Sequence, residues 1–252
     1  STLTTRLKKQ DKMILDRERA INEADKERIR ANLLRAISHD LRTPLTSIIG
    51  FSDSFTENYA ALSDQEKLDL VSSINEDSHW LLNMVENLLS ITRIQGDTGR
   101  VRKEDELVEE VVAEAITRIK KRIPDIKIHV TAPDNILIIP MDPLLIEQVL
   151  MNLMENAFVH SETNRPIELQ ISEESDTIIF HVIDYGKGID EQTIPLILKG
   201  EYYVPKTSDT HRGMGIGLSI CNTIVQAHGG QISAHNHAHG AEFLFTLPKG
   251  DI

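Results

Sequence analysis

Between Asp142 and His160 runs a nearly continuous apolar segment, Pro143-Leu-Leu-Ile-Glu-Gln-Val-Leu-Met-Asn-Leu-Met-Glu-Asn-Ala-Phe-Val, in which Gln148, Asn152, Asn156 and His160 recur at strict four-residue steps. Residues four apart share one helix face, so the segment reads as a helix fit for burial with a single polar stripe. Asp142 stands at its N-cap and Pro143 in its first turn, where each residue type is favoured. Asparagine is a poor interior helix former, because its amide competes for backbone hydrogen bonds. On spacing alone the stripe is either a solvated face or an amide pair that coordinates a magnesium ion and phosphates.

A helix that apolar needs a large partner surface, and 252 residues suffice for two ordinary domains. With 40% hydrophobic and 26% charged residues, and only 13 glycines and 9 prolines, the chain reads as globular and not as a fibrous or disordered one. Its longest apolar run, Ile136 to Met141, is interrupted by Pro140 and falls far short of the roughly 20 residues of a membrane-spanning helix. Ser1 to Lys12 lack the apolar stretch of a secretory signal, and a chain that opens on Ser leaves room for upstream domains. A net charge of −12 works against wrapping nucleic acid, which demands phosphate neutralisation. The imbalance is uneven, since residues 1–35 sum to +4 and the remainder to −16. Cys221, the single cysteine, excludes an internal disulfide or a thiolate zinc site and fits the cytosol.

Residues 1–38 hold strong helix formers with Leu7, Ile14 and Ile21 seven apart, which reads as a helical stem. From Leu34 an apolar stripe runs through Ile37, Leu41, Leu45 and Ile48, one face of a helix. A second helix opens at Ser63-Asp64-Gln65-Glu66, a reciprocal capping pattern, and carries Val71, Ile74, Ser78, Leu81, Val85, Leu88 and Thr92, flanked by Leu82 and Leu89. That face is too wide for two helices to cover, whereas two copies of the hairpin bury it in a four-helix bundle. A homodimer is therefore expected. Gln95 to Gly99 reads as a linker. Beyond it, helices over 106–122, 143–160 and 217–228 interleave with strands over 126–130, 136–139, 167–171, 177–183, 231–234 and 242–247. Adjacent strand pairs imply a mixed sheet backed by helices on one face, an α/β sandwich.

Three further segments suggest chemistry. Ile183-Asp184-Tyr185-Gly186-Lys187-Gly188-Ile189 places an acid at a strand end before two glycines that let backbone approach a ligand, and a buried carboxylate there accepts a hydrogen bond from an adenine amino group. Gly213-Met-Gly215-Ile-Gly217-Leu218 enters a helix, where free amides and the positive dipole end suit phosphate. Ordinary glycine turns explain either segment equally well, and no Walker-type loop is present. In Ser38-His39-Asp40-Leu41-Arg42-Thr43-Pro44, His39 lies about 200° round from core-facing Ile37 at 100° per residue and is expected in solvent. Pro44 removes the donor for the Asp40 carbonyl and is expected to bend the helix. His235, His237 and His239 alternate near a turn and read as a solvated hairpin in preference to a metal site.

Together these segments resemble the sensor histidine kinases of two-component systems, over nearly residues 30–250. Ser38 to Pro44 is similar to the phosphoacceptor box, Asn152 to Asn156 to the N box, Asp184 to Gly188 to the G1 box and Gly213 to Gly217 to the G2 box. Arg30 to His39, Val108-Glu-Glu-Val111 and Ile146-Glu-Gln-Val149 look most like the potassium-responsive, turgor-sensing branch. The resemblance implies a helical stem (1–29), a helical-hairpin dimerisation and phosphotransfer domain (30–95) and a Bergerat-type ATP-binding domain (100–250). It implies ATP and magnesium: Asp184 would read adenine, Gly186 and Gly188 would bind the nucleotide beside it, Asn156 would hold the metal, and Asn152 and His160 would approach ion or phosphates. Gly213, Gly215 and Gly217 would flank the triphosphate. His39 would be the nucleophile, Asp40 would steer its second ring proton, and an aspartate on a response regulator receiver domain would be the acceptor.

Thr43 resembles the residue that positions water when such kinases dephosphorylate their regulators, so a phosphatase activity is also implied. Related ATPases carry a water-activating glutamate where this chain has Asn152, which favours transfer to histidine over hydrolysis. The stretch from Ile189 to Arg212 departs from the family in lacking phenylalanine and offering Tyr202-Tyr203. Its polar end reads as a lid in which Lys206 and Arg212 touch phosphates or simply face solvent. That departure keeps a second reading open, an ATP-gated dimeric interaction module without autokinase activity. The expected location is the cytoplasm, with any membrane attachment through segments absent from this chain.

Overall fold

Ser63 and Glu66 start the longest helix by capping each other. The Ser63 amide donates to Glu66 Oε2 at 2.8 Å, and the Glu66 amide to Ser63 Oγ at 3.3 Å, the reciprocal pattern expected from the sequence. The Ser63 hydroxyl and amide hold the Glu66 carboxyl below its usual range. The structure, a computed structural model, describes residues 41–94, 101–161, 163–194, 196 and 216–250. These fall into two units, one up to Val85 and one from Glu86 onward.

In the first unit a helix over 41–58 (α1) is joined by a turn over 59–63 to α2, Asp64–Ile94, whose last turns belong to the second unit. Thr46 Oγ1 donates to the Arg42 carbonyl at 2.8 Å within α1. Phe55 meets Tyr59 edge-on at 5.3 Å, and Lys67 sits 4.6 Å from the Tyr59 ring centroid, which ties the start of α2 to the end of α1. Much of the apolar surface of this hairpin stays open in the single chain, with Leu45, Ile49, Val71, Leu82 and Val85 all exposed.

The second unit adds β1 (Glu104–Leu107), α3 (Val108–Arg122), β2 (Ile128–Thr131), β3 (Ile138–Met141), α4 (Pro143–Ser161), β4 (Ile167–Glu173), β5 (Thr177–Ile183), α5 (Ile216–Ala227), β6 (Ile232–His237) and β7 (Gly240–Pro248). Five strands form a sheet in the order β2-β4-β5-β7-β6, parallel between β2 and β4 and antiparallel elsewhere. Residues of β4, β5 and β7 alternate buried and half-buried, because a strand covered on one side hides every second side chain. Phe180 and Phe245 stack at 4.5 Å on the covered face. Against it lie Val112, Ala115 and Ile119 of α3, Leu145, Val149 and Leu153 of α4, and Cys221, Ile224 and Val225 of α5. Each such burial is worth roughly 1.5–3 kcal/mol for a large aliphatic, enough to fix which side of α4 faces inward.

The mixed sheet and its helices agree with the expected α/β sandwich. The region before α3 differs from the sequence expectation. Residues 104–107 form a strand where a helix from about 106 is expected, and that strand pairs antiparallel with β3, Glu104 opposite Met141 and Leu107 opposite Ile138. Glu-Asp-Glu-Leu has no local preference for strand, so it is the exposed edge of β3 that imposes the conformation. Cys221 is fully buried, its thiol pushed up to about 12 by burial.

Candidate functional site

α4 is the wall on which the site is built. Its first turn is held from two directions: Asp142 Oδ1 accepts the Leu145 amide at 3.2 Å, the expected N-cap, while the Asp142 amide donates to His228 Nε2 at 3.0 Å. His228 is buried and donates through Nδ1 to the Ile224 carbonyl at 2.8 Å. Its two ring nitrogens are therefore committed as one donor and one acceptor, the neutral tautomer, and burial lowers its pKa further. Nothing in the local sequence marks His228, because its partner at Asp142 is 86 residues away.

The four-residue stripe divides into two behaviours. Gln148 and Asn152 belong to an amide network: Gln148 Nε2 donates to Asn152 Oδ1 and to Asn87 Oδ1, both at 3.0 Å, and Asn152 Nδ2 donates to Asn87 Oδ1 at 3.1 Å. Asn152 Nδ2 also lies 3.5 Å from the Gly217 carbonyl at the start of α5. Asn87, the hub of this network within the second unit, was not singled out by sequence reasoning, which had only its helical position to go on. Asn156, one turn further, is half-buried and its amide has no hydrogen-bond partner among the described residues. His160 is exposed at the end of the helix.

Directly against that end lies the glycine loop. Asp184, 5% exposed, accepts from the Gly186 amide at 2.9 Å and the Ala241 amide at 3.3 Å, both on Oδ1. Oδ2 is the oxygen left for an incoming donor. A Cβ on Gly186 would come within 2.5 Å of Ser161 Cα and 2.9 Å of the His160 carbonyl oxygen. Gly188 has φ +77°, and a Cβ there would sit 2.8 Å from Asn236 Oδ1. The close approach that sequence reasoning assigned to a ligand is thus made to protein: the glycines let the loop pack on α4 and on the β6–β7 hairpin. Gly217 is different, since its Cβ would meet Asn152 only at ordinary contact distance, 3.8 Å.

The tip of the hairpin is solvated as expected, with His235, Asn236, Ala238 and His239 exposed, yet its side chains also hold neighbouring groups. His237 Nε2 donates to the Asp184 carbonyl at 2.8 Å, and His235 Nε2 lies 2.7 Å from Glu242 Oε2. A Cβ on Gly240 would collide with the Asp184 carbonyl at 2.2 Å, so Gly240, which the sequence left unremarked, is as necessary to this corner as Gly186. The Tyr185 hydroxyl donates to Glu168 on β4, with Arg165 over its ring at 5.2 Å. That bond and burial raise the Tyr185 pKa.

The structure thus brings Gly217 beside Asn152 and the loop from Asp184 to Gly186 against the His160 end of α4, while Gly188 packs on the β6–β7 hairpin. Thr43 is exposed on α1 in the other unit. His39, Asp40, Lys206, Arg212, Gly213 and Gly215 lie outside the described residues, as does most of the expected lid.

Two family models match the chain: the histidine kinase-, DNA gyrase B- and HSP90-like ATPase over residues 141–251 and the His Kinase A (phospho-acceptor) domain over residues 29–97. The sensor protein KdpD of Clostridium acetobutylicum is 42% identical over 95% of this chain and 27% of its own length. The sensor protein KdpD of Escherichia coli is 35% identical over 92% of this chain and 26% of its own length. The chain therefore spans about a quarter of the length of these relatives. Among solved structures, that of histidine kinase ThkA in complex with response regulator protein TrrA superposes with a TM-score of 0.62 at 24% identity, covering 87% of this chain and 61% of that one.

Proposed function

Since the chain belongs to the sensor histidine kinases, on the KdpD branch, and carries their catalytic core, we propose that it phosphorylates its own His39 from ATP. From there it passes the phosphoryl group to an aspartate on a response regulator receiver domain. The observation that carries this reading is the corner at Asp184: a nearly fully buried carboxylate with one oxygen committed to backbone amides and the other available to an adenine amino group. A purine base there lies against the end of α4, which directs the phosphates along the asparagine stripe.

Asn156, half-buried and with no hydrogen-bond partner for its side-chain amide among the described residues, offers the hard oxygen that magnesium prefers, so it is the residue to hold the ion. When bound, the ion would neutralise charge on the phosphates. Asn152, with its amide tied to Gln148 and Asn87, shapes the wall beside the G2 segment and supplies no base for water, which favours transfer over hydrolysis. Phosphoryl transfer needs mainly positioning and charge neutralisation. One imidazole nitrogen of His39 forms the bond to the γ-phosphorus as the bond to the β–γ bridging oxygen breaks and ADP leaves. The proton on the other nitrogen is accepted or steered by Asp40, and Lys206 and Arg212 of the lid approach the phosphates.

The test is incubation of the native chain and His39→Gln with magnesium and γ-labelled ATP. Acid-labile, base-stable label on the native chain alone is expected; ATP binding without such label would exclude autokinase activity. Exposed Thr43 supports the second activity, dephosphorylation of the regulator. Thr43→Ala is expected to slow regulator dephosphorylation at least tenfold while labelling of His39 persists, and an unchanged rate would remove Thr43 from that role.

We further propose that the kinase acts as a homodimer through the exposed apolar faces of α1 and α2, with the domains bounded as the sequence suggests, 1–29, 30–95 and 100–250. No helix among the described residues is long and apolar enough to cross a membrane.

A further inference from the structure

The β6–β7 hairpin grips the glycine loop at both ends. At the near end, His237 Nε2 donates to the Asp184 carbonyl at 2.8 Å, while His237 Nδ1 accepts the His239 amide at 3.3 Å. The Asp184 amide donates to the Ala241 carbonyl at 2.9 Å. At the far end Asn236 brackets a single residue: its Oδ1 accepts the Ile189 amide and its Nδ2 donates to the Ile189 carbonyl, each at 2.7 Å. A planar amide that bonds both backbone groups of one residue fixes the rotation of that backbone as well as its position. The same Oδ1 fills the space beside Gly188 that a Cβ would enter.

Asn236 is exposed, so water would satisfy its amide at little cost and would do the same for the Ile189 backbone. Its two short bonds are not required to bury anything. What they accomplish is to hold the loop from Asp184 to Ile189 in one conformation, with Asp184 at one anchored end and Ile189 at the other.

We infer that Asn236, assisted by His237, is a positioning residue for nucleotide recognition. It sets the loop so that the Asp184 carboxylate meets the amino group of adenine, and thereby sets the preference for adenine over guanine nucleotides, since guanine presents a carbonyl at that place. Asn236 touches no ligand itself. The inference rests on the proposed role of Asp184 as the adenine acceptor.

The experiment measures ADP and GDP affinity by calorimetry, with magnesium, for the native chain, Asn236→Ala, Asn236→Asp and Asp184→Asn, alongside melting temperatures and hydrogen exchange at the Ile189 amide. Expected for Asn236→Ala is about a fivefold to tenfold loss in ADP affinity, from two hydrogen bonds of ordinary worth. GDP binding is expected to change little, with a melting temperature near native and faster exchange at Ile189. Asn236→Asp keeps the acceptor for the Ile189 amide and is expected to recover part of the ADP affinity. An unchanged ADP to GDP ratio in Asn236→Ala, where Asp184→Asn does lower it, would overturn the inference and leave the role of Asp184 intact. Equal loss of both nucleotides with a lowered melting temperature would also overturn it, in favour of a purely structural bond. A native chain that binds no ADP, or an Asp184→Asn variant with native ADP affinity, would overturn the reading of Asp184 itself and the inference with it.

Discussion

Asp184 combines burial with an asymmetric set of partners: Oδ1 takes the Gly186 and Ala241 amides and Oδ2 takes none of them. In Asp184→Asn, if the amide oxygen keeps those two bonds, the NH2 group faces the adenine amino group, donor against donor. A hydrogen bond to a charged group is worth about 1.5–3 kcal/mol, so ADP affinity is expected to fall roughly 10- to 100-fold. Calorimetric titration checks this, and a loss below twofold would remove Asp184 from base recognition. The sequence exposed Asp184 as an acid at a strand end, and glycines two and four residues on as places of close approach. It did not reveal what approaches, because Ser161 and Asn236, which fill the space beside Gly186 and Gly188, are brought there by different elements.

The helix that carries the asparagine stripe is pinned at its start by His228 in its neutral form. Its folded pKa is lowered by burial below the ordinary 6.5, so the unfolded chain binds a proton more readily than the folded one. The stability this histidine contributes is therefore fully present above about pH 6.5 and is lost progressively as pH falls from there through the folded pKa. Urea unfolding at pH 7.5 and pH 5.5 is expected to show that loss in the native chain. His228→Leu, which leaves the Asp142 amide without its acceptor, is expected to cost about 1–3 kcal/mol at pH 7.5 and to show a smaller fall between the two pH values. An equal fall in both would place the titration elsewhere. Most elements of this unit were legible: α4 from its cap and apolar run, β4, β5 and β7 from alternation or length. β1 was not, since Glu104-Asp105-Glu106 becomes a strand only through pairing with β3.

At the scale of the whole molecule, the hairpin of α1 and α2 leaves Val71 50% and Leu82 54% exposed in one chain, far more than isolated helices tolerate as a continuous face. Their burial in a dimer predicts that Val71→Glu combined with Leu82→Glu yields a folded monomer, with native helical content by circular dichroism and half the native mass by light scattering; a persistent dimer would place the interface elsewhere. The wide stripe on α2 was visible from residue types at steps of three and four, because helical periodicity is a local property. The same holds for the capping pair at Ser63 and Glu66, for the burial of α4 and for the alternation of the sheet, all of which depend on neighbours within a few residues along the chain. The sequence by itself therefore determined the two-part organisation, the element types and most of the residues around the candidate site. Tertiary structure alone decided that Asn152 joins Gln148 and Asn87 while Asn156 has no such partner among the described residues, that His228 caps a helix 86 residues away, and that a solvated hairpin also holds Asp184 in place. Each of these depends on a hydrogen bond between elements distant in sequence, whose pairing is set by packing and leaves no periodic mark on the chain.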